Sequence, residues 1–453
     1  MAGKAEQRIA EFTVETSANA IPADCFRAAR EAVFDCIGVM LAGVPQPHGR
    51  MIVDFVSQEG AAGPCTVVGT PVKTSATMAA LANGTLGHAL DFDDMGAFGH
   101  PSVALLPASL AAGELAGASG RDVLAAYILG FEVGCQLSRA SRYVQGERGF
   151  HSTPVFGTLG AVVAAARLLR LSSEQTITAL GIAGSMPSGV LQNFGTHTKP
   201  LHAGMTGRNG VMAALLAKAG WTACDNIIES KVGWAAAYLG AGNYDPEIMV
   251  KELGSAWTIQ DTIVIKKYPC CGTNHSALDS LLALQREHPF RWDQVAEVEV
   301  SGLPDISHVL LYPEPSSAFQ GKFSLPYNVA TALLDGHVDI ESYMEDKLRR
   351  PEFAQALDKV EIRILSRWDP EYSTHPKETP VVVRLKDGRT LSRSTDRHRM
   401  HGSPADPFTG EELKAKFRRN ARLCLSPDRA ERLLDAWWKL DAAPRIHDAL
   451  AGA

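Results

Sequence analysis

The residues best suited to chemistry lie in one run, Gly87-His-Ala-Leu-Asp-Phe-Asp-Asp-Met-Gly-Ala-Phe-Gly-His-Pro-Ser102. It holds the carboxylates of Asp91, Asp93 and Asp94 and the imidazoles of His88 and His100. Imidazole titrates near neutrality and suits proton transfer in either direction. His100 follows Gly99 and precedes Pro101, so its direction is fixed, and it is the first candidate acid or base. Asp91 can orient that histidine or bind a substrate hydroxyl, and Asp94 is a candidate substrate contact. All three aspartates can instead cap amides in a helix C-terminal turn. The set also admits a divalent metal, although no clean ligand motif supports one. His88 reads as structural, facing helix packing.

Other groups stand further along. His151 follows Gly149-Phe150 and opens a helix through Ser152-Thr153-Pro154. A helix amino terminus favours anions and lowers an imidazole's pKa, so His151 can act as a base or bond a carboxylate. Lys199 sits in the polar turn Thr196-His-Thr-Lys-Pro-Leu-His202 before a glycine-rich helix start, where a lysine can hold a carboxylate. His202 and Arg208 are secondary candidates beside it. Cys270-Cys271 with His275 raises a zinc or Cys–His reading. Adjacent cysteines are poor joint ligands and no second pair follows, so packing is the simpler role.

The elements that must position these groups are mostly helical. Ala/Leu-rich helix is expected from Thr74 to about His88, with Thr74 as cap, and from Leu105 to about Ala118. Gly96, Gly99 and Pro101 make Asp94 to Ser102 a loop between them. Helices are expected at Asp122–Leu137, at Pro154–Leu169, after the capping box Ser172-Ser-Glu-Gln175, and at Arg208–Ala219. The pattern changes near Thr262. Val295–Ser301 and Lys359–Leu365 alternate as half-buried strands do, and Val381–Leu391 reads as a hairpin turning at Asp387-Gly388. Helix returns at Glu411–Asn420 and Pro427–Leu440. The expected fold is therefore mainly α. Residues 1–265 form a large all-helical domain, 266–400 a smaller α+β domain, and 401–453 return to the helical one.

Composition bounds the function. The 453 residues are 45% hydrophobic, with 44 basic against 50 acidic side chains and a net charge of −6. That balance argues against nucleic-acid or membrane-surface partners. No apolar run is long enough to span a membrane, and the start lacks a signal core, so a cytoplasmic location is expected. The 8 cysteines are scattered without a C-x-x-C and read as buried free thiols.

Several segments together resemble the MmgE/PrpD family. These are His88–Asp94 with His100-Pro-Ser102, Gly149–Thr153 with Gly157–Gly160, Asn193–Gly204 with Arg208-Asn-Gly210, Lys266–Cys271 with His275, Lys322–Tyr327, and Pro404–Pro407. They occur in the family's order across nearly the whole chain. The resemblance implies a helical domain built from both chain ends, an α+β lid, homodimers, and catalysis without a metal or organic cofactor. It also matches His100 to a catalytic histidine, Asp91 to a carboxylate near it, and Lys199 to a substrate-binding lysine. His275 falls on the segment that lines the family's site from the lid, and Tyr327 on a site tyrosine of its decarboxylases. One departure is Met95-Gly96, where many members carry a polar pair.

The reactions of that family share a carbon that is acidic only because a carboxylate adjoins it. The reading is a cofactor-independent lyase, dehydratase-like, that abstracts such a proton from a small di- or tricarboxylate such as 2-methylcitrate. His100, His151, Asp91 and Lys199 would carry the catalysis. Lys199, His202, Arg208, His275, Tyr327 and Asp94 would bind the substrate. Epimerisation of an iminodisuccinate-like acid and decarboxylation of cis-aconitate are the enzymatic alternatives. An inactive dimeric binding paralogue and a metal-dependent hydrolase complete the set.

Overall fold

The computed structural model describes residues 3–141, 144–302, 306–364 and 378–451. Helix accounts for 59% and strand for 10%, so the protein is mainly α. Two large apolar cores organise it. The first draws on side chains from Ala5 to Ile265 and again from Leu413 to Leu450. The second draws on Tyr268 to Leu385.

In the first core, the helices Ala76–His88, Pro101–Ala116, Gly120–Ala140, Ser152–Leu168 and Thr198–Lys218 pack against one another. Their sequences are rich in Ala and Gly, which lets backbones approach closely. A Cβ on Gly84 would stand 2.7 Å from the Cα of Gly204, and one on Gly204 would stand 2.3 Å from the carbonyl oxygen of Leu81. The helix ending at His88 and the helix beginning near Lys199 are thereby in direct backbone contact. From the far end of the chain, the Gly410–Ala421 helix lies on the Ala23–Gly43 helix, with Phe417 stacked on Phe34 at 4.6 Å.

The second core lies under a four-stranded sheet. Val295–Gly302 pairs in parallel with Val360–Ile364 and antiparallel with Glu378–Leu385, which pairs with Thr390–Asp396 at the edge. The helices His275–Glu287 and Leu325–Asp335 close that core. The hairpin turn is where the Asp-Gly pair predicts it, with Gly388 at φ +91°. Leu365, the expected end of one strand, lies outside the described residues.

Local expectations shift in four places. The helix expected from Arg208 begins at Thr198, so Lys199 and His202 stand on its first turns rather than in a turn before it. Ser75, not Thr74, caps the helix toward His88, since its Oγ accepts the Met78 amide. The next helix begins at Pro101 rather than Leu105, because proline suits a first turn. Asp94–Met95 is a short strand paired with Val264–Ile265, which ties the loop to the junction between the cores. Among the described residues, no helix is long and apolar enough to cross a membrane.

Candidate active site

The site is built on the turn that ends the Ala76–His88 helix. Asp91 there has φ +53°, a left-handed conformation that costs a non-glycine residue energy and that aspartate tolerates better than most. Its Oδ1 receives Lys199 Nζ at 2.5 Å and Lys266 Nζ at 3.1 Å. His100 Nε2 and His88 Nδ1 each stand 3.9 Å from the same oxygen. Oδ2 of Asp91 is buried and has no hydrogen-bond partner among the described residues. Burial alone would raise the Asp91 pKa, but the lysines and histidines together hold it well below the usual range.

Asp93 joins the two imidazoles of the run. Its Oδ1 accepts from His88 Nδ1 at 2.9 Å and its Oδ2 from His100 Nδ1 at 2.9 Å. His100 Nδ1 also faces the Asp94 carbonyl oxygen at 3.0 Å. Both neighbours are acceptors, so Nδ1 carries the hydrogen. The lone pair of neutral His100 is therefore on Nε2, turned toward Asp91 and the lysines. Gly99, at φ +107°, leaves room for Thr153, whose Oγ1 accepts the His100 amide at 3.0 Å. Burial lowers the pKa of His100, as does Lys199, while Asp93 opposes them. The same burial takes His88 down to about 3.

His151 stands at the head of the Ser152–Leu168 helix, as its sequence position predicts. Its ring lies 6.1 Å from that of His100, and its Nδ1 is 3.2 Å from Nδ1 of His202. One of that pair must be the donor, so the two rings hold opposite tautomers. Phe194 packs edge-on against His151 at 4.9 Å. The Lys199 ammonium lies 5.0 Å from the ring of Phe194 and 5.0 Å from that of Phe323 in the second core's segment. Only 2% of the Lys199 side chain is exposed, so it is a buried cation rather than a solvated loop lysine.

The remaining expected residues scatter. The Asp94 carboxyl is directed away from the cluster to Ser102, whose amide and hydroxyl both bond it, and Ser102 Oγ meets Tyr127 Oη at 2.7 Å. Burial, then the neighbouring Asp93 charge, raises Asp94 to about 8. Tyr327 faces inward too. Its hydroxyl donates to the Ser342 carbonyl at 2.6 Å and its ring packs on Phe353 and Tyr343. It is the third residue of the Leu325–Asp335 helix, and that face belongs to the core. Arg208 is half-buried two turns beyond His202, with no hydrogen bond or ion pair to the cluster among the described residues. His275 is buried, its Nε2 without a partner among the described residues, and its ring lies edge-on to Tyr268 at 5.1 Å. Cys270 is buried, and Cys271 is half-buried with its thiol 3.6 Å from Thr273 Oγ1.

Four groups escaped the sequence reading of roles. His88, read as structural, shares Asp93 with His100. Asp93 itself is the bridge. Lys266 touches Asp91 twice, through Oδ1 and through the main-chain carbonyl at 2.9 Å. Lys322 donates to the carbonyls of Leu90 at 3.1 Å and Pro269 at 2.8 Å, and burial lowers its pKa to about 7. The signal for both lysines was a cation next to an apolar or aromatic run, in Ile263-Val-Ile-Lys266 and Lys322-Phe323.

Ring nitrogens of His88, His100 and His151 lie close enough to share a metal ion, as do those of His88 and His100 with Asp91 and Asp93. The donor set fits a cation poorly. Both oxygens of Asp93 are taken by the Nδ1 hydrogens of His88 and His100, and two ammonium groups already occupy Asp91 and would repel a metal ion beside it. What the cluster suits is a small anion, with imidazoles at hand to move a proton.

That combination is what a site for proton transfer on a small anion requires, and comparison with known proteins gives the chain's family. The MmgE/PrpD N-terminal domain matches residues 7–247 and the MmgE/PrpD C-terminal domain residues 268–442. The chain is 32% identical to the cis-aconitate decarboxylase of Homo sapiens over 381 residues, covering 82% of this chain and 78% of that one. With the Mus musculus enzyme of the same name it shares 30% over 429 residues, 92% of this chain and 86% of that one. An Aspergillus terreus cis-aconitate decarboxylase is 27% identical over 451 residues, 93% and 90% of the two chains. The chain belongs to the MmgE/PrpD family and is an enzyme of that type.

Proposed function

We propose that this protein is a cofactor-independent carbon–carbon lyase that decarboxylates cis-aconitate or a tricarboxylate of the same β,γ-unsaturated design. The observation that carries the reading is local. An imidazole with its lone pair on Nε2 and two buried ammonium groups converge on one oxygen of Asp91, in a chain whose curated relatives are named for that reaction. The 2-methylcitrate dehydratase reading has no such support, so decarboxylation takes its place as the leading reaction.

The chemistry asks little of the protein beyond charge and one proton. The bond to the departing carboxylate breaks and leaves as CO2. Its electron pair forms the new methylidene double bond, and the old double-bond pair moves to the carbon next to a second carboxylate. Charge accumulates on that carboxylate in the transition state, where Lys199 and Lys266 stabilise it most. His100 Nε2, protonated, then delivers the proton to carbon. A neutral His100 is favoured while the site is empty, because burial and Lys199 lower its pKa. A bound polyanion reverses the field, so binding and protonation of His100 go together. Asp93 holds the ring by Nδ1 throughout, and His151 with His202 offers a second imidazole on the other side of the cluster.

The family resemblance also supports a helical domain completed by the C-terminal helices, an α+β lid bearing Phe323 and Lys322, and a homodimer. The test is proton NMR of the purified protein in D2O with cis-aconitate, 2-methylcitrate, citrate, malate and iminodisuccinate supplied separately. Cis-aconitate should give a methylidene product with one deuterium at its methylene carbon. If cis-aconitate stays intact while another acid is dehydrated or exchanges its α-hydrogen, the reading is wrong.

A further inference from the structure

The helix that carries His88 ends just before the catalytic turn, so the carbonyls that follow have no helical partner. Each is taken by a side chain from a different part of the molecule. His48 Nε2 meets the Ala89 oxygen at 3.0 Å and Lys322 Nζ the Leu90 oxygen at 3.1 Å. Lys266 Nζ meets the Asp91 oxygen at 2.9 Å and Lys416 Nζ the Phe92 oxygen at 3.0 Å. Cations are favoured at a helix C-terminus, but three buried lysines on successive carbonyls exceed what capping requires.

The geometry around Asp91 explains the excess. Its φ is set by the peptide plane that contains the Leu90 carbonyl, and its ψ by the plane that contains its own carbonyl. Lys322 holds the first plane and Lys266 the second. A left-handed non-glycine residue is strained and persists only where its surroundings over-determine it. Lys322 comes from the segment of the second core, and its ammonium is anchored there by the Pro269 carbonyl at 2.8 Å and the Tyr343 ring at 3.9 Å. No carboxylate forms an ion pair with it among the described residues. A side chain needed only to fill this space would not carry a polar head, since burying a donor is costly unless it is hydrogen-bonded, and this one is spent on the two carbonyls.

We propose that Lys322 is a positioning residue that makes the backbone conformation of Asp91, and with it the acid–base cluster, conditional on the second core being packed against the first. The proposal rests on Asp91 belonging to the reaction site. It predicts that losing Lys322 harms the turn at residues 89–94 more than it harms either core.

The test compares Lys322→Met with Arg350→Met, which breaks the Arg350–Asp335 pair in the same segment at 2.6 Å without touching the turn. Amide hydrogen exchange is read first, with no substrate present. Lys322→Met should speed exchange at residues 89–94 by about tenfold or more while Arg350→Met leaves those amides as in the wild type. Unchanged protection there overturns the proposal. Turnover of cis-aconitate is read second. Lys322→Met should lower kcat by about 100-fold with KM little changed, as a displaced catalytic group does. A rise in KM alone, or an intact kcat despite lost protection, also overturns it. If the methionine variant does not fold, Lys322→Arg keeps the charge but moves it. Partial loss of protection at the same amides is then expected, and wild-type protection refutes the idea. A wild type inactive on cis-aconitate would remove the proposed reaction and leave the exchange result standing.

Discussion

Two buried lysine–aspartate contacts lie close together in this protein and are built differently. Lys416 reaches both oxygens of Asp35 at 2.9 Å and donates also to the carbonyls of Phe92 at 3.0 Å and Lys266 at 2.8 Å. Every atom of that pair has a partner. At Asp91, two lysines and two imidazoles converge on one oxygen while the other has no partner among the described residues. Burial outweighs Lys416 and raises Asp35 to about 6, whereas the converging cations hold Asp91 well below its ordinary value. The first pair is saturated and locks the tail helix to the body. The second is unsaturated, with two ammonium groups on a single carboxylate oxygen, an arrangement that a substrate anion could share. Saturation, more than burial or charge, separates structure from chemistry here.

Variants should break along that line. Asp91→Asn or Lys199→Met should cut turnover by about 10³-fold while the protein stays folded, measured as kcat beside a melting curve. His100→Asn should act in the same range and abolish deuterium delivery to the product. Lys416→Met should do the reverse, destabilising the fold by about 3–5 kcal/mol because it leaves Asp35 uncompensated, with the folded fraction still active. Joint replacement by Asp35→Leu and Lys416→Met should recover much of that loss in denaturant titrations. If Lys416→Met is stable yet inactive, the two contacts are not of different kinds.

Smaller effects concern pH and metal. Asp94 is raised from 3.8 to about 8, so between those values the folded protein holds a proton that the unfolded chain has released. Stability from this group therefore falls as pH rises through that window, and Asp35 adds the same sign below about 6. Asp94→Asn imitates the protonated acid toward Ser102 and should flatten the fall in melting temperature from pH 6 to pH 8.5. A chelator should leave activity unchanged. Loss of activity that added zinc or magnesium restores would transfer the histidine cluster to a metal and undo the anion reading.

Much of this architecture was legible in sequence. The capping box at Ser172–Gln175, the Asp387-Gly388 turn and the glycine-flanked His100 are local signals, and the structure puts each where its neighbours predict. Lys199 was legible only as a residue, since nothing in Thr196–His202 says that Phe194 and Phe323 bury it. Lys266 and Lys322 were harder. A lone lysine is ordinarily a solvated side chain, and what makes these two otherwise is contact with carbonyls 175 and 232 residues away. Tyr327 shows the converse. A tyrosine after a motif lysine looks like a site residue, but helical phase turns it into the core. Asp93 and Asp94 cannot be told apart by type or spacing. Their partners, two imidazoles for one and a serine with a tyrosine behind it for the other, come from the path of the chain after the turn.

The row of carbonyls after His88 has a consequence for synthesis. The two lysines that hold the planes around Asp91 are encoded far downstream, 175 and 232 residues after the oxygens they meet. A ribosome that has produced only the helical first half has made the histidines and aspartates but neither of those side chains. Products that stop short of Lys322 should therefore be inert even when their helices fold.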